Sequence, residues 1–184
     1  MSHFKELFDT YNWDFTLKSI FDKTAVEVKQ ALAKEKRNLE DFKALISPAA
    51  KPFLEEMAYK SQVLTKKRFG NTMQMYAPMY LSNECQNICT YCGFSLTNKI
   101  PRRTLTDVEI LKEVAFLKNK GYDHILLVTG EANQKVGVDY INNAIRLIRS
   151  YFSNITIEVQ PLDQNEYELL VENGLYAVLV YQET

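Results

Sequence analysis

The sequence is poor in the residues that cross-link small proteins or hold metal ions. Its 184 residues include three cysteines and two histidines, His3 and His124. An odd and low cysteine count argues against the disulfide framework of a small secreted domain. Structural zinc takes four ligands, and neither histidine stands at zinc-finger spacing from the cysteines. A disulfide scaffold and a zinc module are therefore both poor descriptions of this chain.

An excess of charge and long apolar runs are also missing. The formal net charge is −1, which argues against nucleic acid or a membrane surface as a partner. No apolar run approaches the length of a membrane span, and residues 1–20 lack the apolar core of a signal peptide. We therefore expect a cytoplasmic globular protein. Two basic groups are interpreted as solvated surface: Lys66, Lys67 and Arg68, and Lys99, Arg102 and Arg103.

The three cysteines that are present stand together. Cys85, Cys89 and Cys92 form the pattern Cys-x-x-x-Cys-x-x-Cys. Thiolate is the usual protein ligand of iron–sulfur clusters, and one short loop can curl around a cube of closely spaced irons. Because there is no fourth cysteine, one iron would stay open to a cofactor or substrate. The pattern predicts that these cysteines hold a [4Fe–4S] cluster.

The chain reads as a helical part followed by an α/β part. Residues 1–70 are expected to form a helical extension, with a capping-box start at Thr24-x-x-Glu27 and an end at Gly70. Residues 71–184 alternate between strands and helices. Pro78 in the first strand predicts a bulge or other irregularity there. The strands are "TMQMYAPMYLS", "HILLVTG", "ITIEVQP" and "YAVLVYQ", and Thr106-x-x-Glu109 and Asp163-x-x-Glu166 open two of the helices.

Strand–helix alternation of this length predicts parallel βα units, here about four strands of a (β/α) barrel of the TIM type. The polar residues follow the strands at their carboxyl ends. The cysteines follow the first strand, Gly130 and Glu131 close the second, and Gln160 and Gln182 close the third and fourth. Barrel enzymes place their active sites at this rim.

Two segments of the rim are candidate contacts to a cofactor. Tyr91 precedes the last cysteine, where its ring can lie beside an adenine or can simply pack in the loop. Thr129, Gly130 and Glu131 follow the buried second strand. Glycine allows a ligand to approach the backbone and an exposed carboxylate can accept from an ammonium group, although such a tripeptide is also a common turn.

The third strand contributes a further candidate. Glu158 alternates with Ile157 and Val159, so its side chain is expected on the opposite face from theirs. In a barrel strand this face is the cavity, where Glu158 can contact a ribose or a substrate. The alternative is a solvated or ion-paired glutamate.

These motifs together resemble the radical S-adenosylmethionine (SAM) enzymes, and most closely the 2-iminoacetate synthase family, the tyrosine lyases of thiamine thiazole biosynthesis. The resemblance covers essentially the whole chain. Thr129 stands where that family usually carries a glycine or another small residue. The stretches that carry the resemblance are "MYAPMYLSNECQNICTYCGFSLTNKIPRRTL", "LLVTGEA", "EVQPL" and "VYQET".

The resemblance implies a reaction and its partners. SAM would bind the open iron, receive an electron and release a 5′-deoxyadenosyl radical that attacks L-tyrosine. Breakage of the Cα–Cβ bond would give 4-cresol and 2-iminoacetate (dehydroglycine). Reduced flavodoxin or ferredoxin would supply the electron, and thiazole synthase would be a further partner. Tyr91, Thr129, Gly130, Glu131 and Glu158 would contact SAM.

Length sets this sequence apart from the family it resembles. The family is about twice as long, and a closed eight-stranded barrel takes ~250 residues. We therefore expect an N-terminal half that is inactive alone. Two alternatives stay open: the tyrosine lyase of [FeFe]-hydrogenase cofactor maturation, whose further cysteine-bearing region is absent here, and a non-catalytic fragment that binds only the cluster.

Overall fold

The computed structural model describes residues 4–180, and the chain divides between Thr72 and Met73 into two compact units. The first unit is helical, as predicted. Its helices are α1 Phe4–Asp9, α2 Trp13–Phe21, α3 Ala25–Ala33, α4 Leu39–Leu45, a 3₁₀ helix Pro48–Phe53 and α5 Leu54–Phe69. Thr24 and Glu27 form the predicted capping box. Small and branched apolar side chains make a local core: Val28, Ala31, Leu32, Ala44 and Ala50.

The second unit is a sheet with helices between its strands. Within the described residues the sheet has four strands in the order β1-β2-β3-β4, and each neighbouring pair is parallel. The elements are β1 Tyr76–Ser82, α6 Asp107–Asn119, β2 His124–Thr129, α7 Val138–Ile148, β3 Asn154–Glu158, α8 Gln164–Glu172 and β4 Leu175–Val178. The predicted order of strands and helices is confirmed.

The core of this unit lies between one face of the sheet and its helices. In α7 the buried residues are Ile141, Ala144, Ile145 and Ile148, a spacing that places them on one side of the helix. They pack in one cluster with alternate residues of the strands, including Leu81, Leu127 and Ile157, each fully buried. The intervening strand residues are therefore left to the other face of the sheet, where the site lies.

The first strand differs from its prediction in two ways. It begins at Tyr76, so residues 72–75 lie outside it. The register is regular at Pro78, opposite Leu126, and the irregularity falls between Tyr80 and Ser82. Within residues 4–180, β1 has a neighbour on one side only, and an edge position tolerates the missing N–H of proline.

None of the helices that the structure describes has the length and apolar character to cross a membrane. Gln182, assigned above to the rim, lies outside the described residues.

Candidate cluster and cofactor site

Residues 83–103, here called the cysteine loop, leave the end of β1 and return to it. Ser82 and Thr104 form an antiparallel bridge, and their hydroxyl oxygens lie 2.8 Å apart. The Asn83 N–H donates to the Arg103 carbonyl at 3.2 Å. The loop is therefore closed at its base, next to the register shift between Tyr80 and Ser82 that ends the regular pairing of β1.

The three cysteines line one cavity of about 380 Å³ at the carboxyl ends of β1, β2 and β3. Each is half-buried and none forms a disulfide. The cavity is lined by Tyr80, Cys85, Asn87, Cys89, Cys92, Gly93, Phe94, Val128, Thr129, Gly130, Glu131 and Glu158. Of the predicted site residues, the structure thus brings all except Tyr91 to one cavity.

The wall of this cavity on the sheet side is a single row of strand residues. Tyr80 pairs in register with Val128, and Val128 pairs with Glu158. All three line the cavity. Ile157 and Val159, which flank Glu158, are buried among the helices instead. Glu158 therefore lies on the face that strand alternation predicts, and its contact to a cofactor stays a prediction.

The space beside Gly130 is filled by another part of the chain, whereas the sequence interpretation assigned that space to a ligand. A Cβ at Gly130 would lie 2.3 Å from the Glu84 carbonyl oxygen and 3.0 Å from the Cys85 Cβ. The start of the cysteine loop thus packs directly on the backbone that follows β2. In this structure the glycine admits the loop that carries Cys85.

Glu131 is also bound to the cysteine loop. Its carboxylate accepts a hydrogen bond from the Asn87 side-chain amide at 2.6 Å, and its backbone carbonyl accepts from the Gln86 N–H at 2.7 Å. Both donors lie between Cys85 and Cys89. A carboxylate can accept several hydrogen bonds, so these contacts are compatible with acceptance from an ammonium group. That contact remains a prediction.

Thr129 and Tyr91 have contrasting surroundings. The Thr129 side chain is 4% exposed, and its hydroxyl has no hydrogen-bond partner within the described residues. A buried hydroxyl without a partner is costly, so an additional acceptor or donor at this position would be stabilising. The Tyr91 side chain is 70% exposed and does not line the cavity. Its role beside an adenine stays a prediction.

The interpretation of Arg102 as solvated surface is wrong. Its guanidinium donates to the carbonyls of Asn83, Phe94, Ser95 and Asn98. The neighbouring Arg103 is 69% exposed at its side chain and pairs with Glu109. The pKa of Glu109 falls to about 2, because it accepts from the Thr106 backbone N–H first and from Arg103 second. The sequence shows two adjacent arginines, and their different environments arise from the folded loop.

Sequence reasoning also missed cavity residues that carry no chemical signature. Asn87 is one of several polar residues in the loop, and no spacing distinguishes it. Tyr80 and Phe94 contact each other edge to face, with ring centroids 5.8 Å apart. Strand alternation could have placed Tyr80 on the cavity face, because Met79 and Leu81 on either side of it are apolar.

The donor set fits a [4Fe–4S] cluster with one open position. Three cysteine thiols from one loop, none of them in a disulfide, share a cavity, and thiolates are the standard ligands of such clusters. In the part of the chain that the structure describes, no three cysteine, histidine or carboxylate side chains converge closely enough for a single metal ion.

Comparison with known proteins places the chain in a class. The profile of the radical SAM superfamily matches residues 79–184, more than half of the chain. The chain therefore belongs to the radical SAM superfamily, whose cofactors are a [4Fe–4S] cluster and SAM. Over 184 residues it is 46% identical to the 2-iminoacetate synthases of Escherichia coli K12 and Salmonella typhimurium LT2, of which it spans 49% each.

A solved structure supports the fold. HydG, a maturase of the [FeFe]-hydrogenase, matches with a TM-score of 0.84 and 23% identity, over 96% of this chain and 42% of that protein. The predicted α/β fold of a radical SAM barrel is thereby confirmed. The chain spans about half the length of the curated relatives it matches.

Proposed function

We propose that residues 71–184 form the cluster-binding and SAM-binding part of a 2-iminoacetate synthase. The complete enzyme would cleave the Cα–Cβ bond of L-tyrosine to 2-iminoacetate and 4-cresol, for the thiazole of thiamine. One observation carries the proposal. The match to two proteins named 2-iminoacetate synthase, at 46% identity, extends over the whole chain, so the matched region contains the cysteine cavity.

The cysteines and the rim would divide the work of binding. Cys85, Cys89 and Cys92 would hold the cluster, which when bound supplies the electron that cleaves SAM into methionine and a 5′-deoxyadenosyl radical. Glu131 would accept from the ammonium group of SAM through a charge-assisted hydrogen bond. Thr129 and Glu158 would offer polar contacts deeper in the cavity.

The remaining task of the chain is to place the reactants and exclude water. Cofactors carry the difficult chemistry, while the protein supplies orientation and a shaped environment. The row of Tyr80, Val128 and Glu158, which is the sheet-side wall of the cavity, would lie against the cofactor. Tyr80 and Phe94 present aromatic surface to the same space, which is suited to a tyrosine ring or an adenine.

Two protein partners belong to this proposal. Reduced flavodoxin or ferredoxin would deliver the electron, and thiazole synthase would receive the 2-iminoacetate. The reaction of a radical SAM enzyme needs a reductant, which favours an electron-donor partner. HydG does not favour hydrogenase maturation as a second function, because a likeness at 23% identity rests on the fold alone.

The function can be tested in a chimera. Residues 1–184 would replace the corresponding segment of the E. coli relative, and the protein would be reconstituted anaerobically with iron and sulfide. We expect SAM cleavage and 4-cresol formation from tyrosine. The same chimera with Cys89→Ala is the control and should form neither product. A chimera with full cluster content that cleaves SAM but releases no 4-cresol would refute the assigned substrate.

A further inference from the structure

Arg102 joins the two ends of the cysteine loop. One guanidinium nitrogen, Nη1, donates to the carbonyl of Asn83 at 2.6 Å and to that of Phe94 at 2.7 Å. The other, Nη2, donates to Ser95 at 2.7 Å and to Asn98 at 3.3 Å. Asn83 precedes Cys85, whereas the other three acceptors follow Cys92. One side chain thus spans the segment that carries all three cysteines.

The geometry requires an arginine. Guanidinium is planar, permanently charged and presents several donors in a fixed fork. One such group can therefore reach carbonyls on two separate arms of the loop. A lysine ammonium is a compact point charge and cannot span the same positions. Hydrogen bonds from a charged donor are about twice as strong as those between neutral groups.

The acceptors of Arg102 include the residue that contacts a cluster ligand. The Phe94 backbone N–H donates to the Cys92 Sγ at 3.4 Å, and the Phe94 carbonyl is held by Arg102. Asn98 reinforces the same turn by donating from its side chain to the carbonyls of Cys92 and Gly93, each at 3.1 Å. Hydrogen bonds to the sulfurs are among the factors that set the reduction potential of a cluster.

We propose that Arg102 is a positioning residue of the cluster site. Its guanidinium fixes the arm of the loop that follows Cys92 against the arm that precedes Cys85, and so holds the Phe94 N–H on the Cys92 sulfur. Two properties follow: the cluster is retained firmly, and its reduction potential is raised. The inference rests on the cysteine ligands proposed above, and it is independent of which substrate the enzyme cleaves.

The test uses Arg102→Gln and Arg102→Lys in the full chain, with Arg103→Gln as the matched control. Each protein is reconstituted anaerobically. We then measure the rate of iron release to a chelator, and the reduction potential of the cluster by an EPR-monitored redox titration. Loss of several charge-assisted hydrogen bonds should speed iron release roughly tenfold or more in both Arg102 variants. The potential should become more negative in both, while Arg103→Gln should match the unsubstituted protein.

Each other outcome contradicts the proposal. Arg102→Gln with unchanged iron release and potential would show that the guanidinium does not position the cluster. Full rescue by Arg102→Lys, or an equal change in Arg103→Gln, would assign the effect to positive charge alone. A general loss of helix and strand content in cluster-free Arg102→Gln would make Arg102 an ordinary stabilising residue. If Cys→Ala variants retained the cluster, the ligand assignment itself would fail, which is a separate result.

Discussion

The contact between Gly130 and the cysteine loop gives a direct test of how the site is built. In Gly130→Ala, the added methyl carbon would lie 2.3 Å from the Glu84 carbonyl oxygen and 3.0 Å from the Cys85 Cβ, whereas ordinary contacts begin near 3.4 Å. The obstructing atoms belong to the backbone and to a Cβ, so no flexible side chain can move aside. The loop must therefore shift by about 1 Å at the Glu84 carbonyl and by a few tenths of an ångström at the adjoining Cys85.

The size of the effect follows from this clash. Forcing an extra carbon into a packed site, with backbone movement, typically costs ~1–3 kcal/mol. Because the displaced segment carries Cys85, a proposed cluster ligand, cluster retention should suffer more than the packing of α6, α7 and α8. We expect Gly130→Ala to lower the free energy of unfolding by ~1–3 kcal/mol and to lose iron faster than the unsubstituted protein.

Gly93→Ala is the matched control. Gly93 lies in the same cavity, yet a Cβ built there meets no atom within 4 Å. The two variants are compared by their unfolding free energy, from urea titration of the cluster-free proteins, and by their iron content after anaerobic reconstitution. The reasoning is refuted if Gly130→Ala keeps both values, or if Gly93→Ala loses as much. In either case the close approach of Glu84 would not constrain the loop.

Three further predictions concern the same unit. Single alanine substitutions of Cys85, Cys89 or Cys92 should each abolish the cluster absorbance and SAM cleavage, and one variant that keeps full iron content would remove that cysteine from the ligand set. Glu131→Gln keeps an oxygen for the Asn87 amide but loses the charge, so the Kd for SAM should rise roughly tenfold or more while iron content stays unchanged; an unchanged Kd would limit Glu131 to holding the loop. Tyr140 donates to the carbonyl of Leu105 at 2.8 Å, and Tyr140→Phe should cost ~1 kcal/mol of unfolding free energy at neutral pH. Burial raises the pKa of Tyr140 to about 12 from 10.0, so the unsubstituted protein should lose stability as pH rises from 10 towards 12, and Tyr140→Phe should lack that component.

The sequence predicts the elements of this fold well because their signals are local. Apolar spacing in α7 and the capping box of Thr106 and Glu109 depend on residues three or four positions apart. Alternation in β3 is equally local, and it places Glu158 on the cavity face. The rim then follows from topology, since parallel strands in βα units end at one edge.

The details of the site depend on contacts between distant residues, and these have no local signal. The sequence around Gly130 indicates only a turn glycine, and its close contact with Glu84 is visible only in the folded structure. The Asn87 amide reaches Glu131 across 44 positions of sequence. Arg102 and Arg103 are identical in type and adjacent, and the closure of the loop alone decides which of them faces the carbonyls.

The cysteine loop and the segment after β2 therefore act as one unit. Gly130 supplies the space for Glu84 and Cys85, the Glu131 carbonyl binds the Gln86 N–H, and the Glu131 carboxylate binds Asn87. Groups in direct contact couple energetically, so the effect of changing one depends on the other. A carboxylate that contacts both the cluster loop and SAM would link occupancy of the cluster to affinity for the cofactor. The fold thus ties Gly130 and Glu131 to the segment that carries Cys85 and Cys89, and a substitution that displaces this segment should affect both iron retention and SAM affinity.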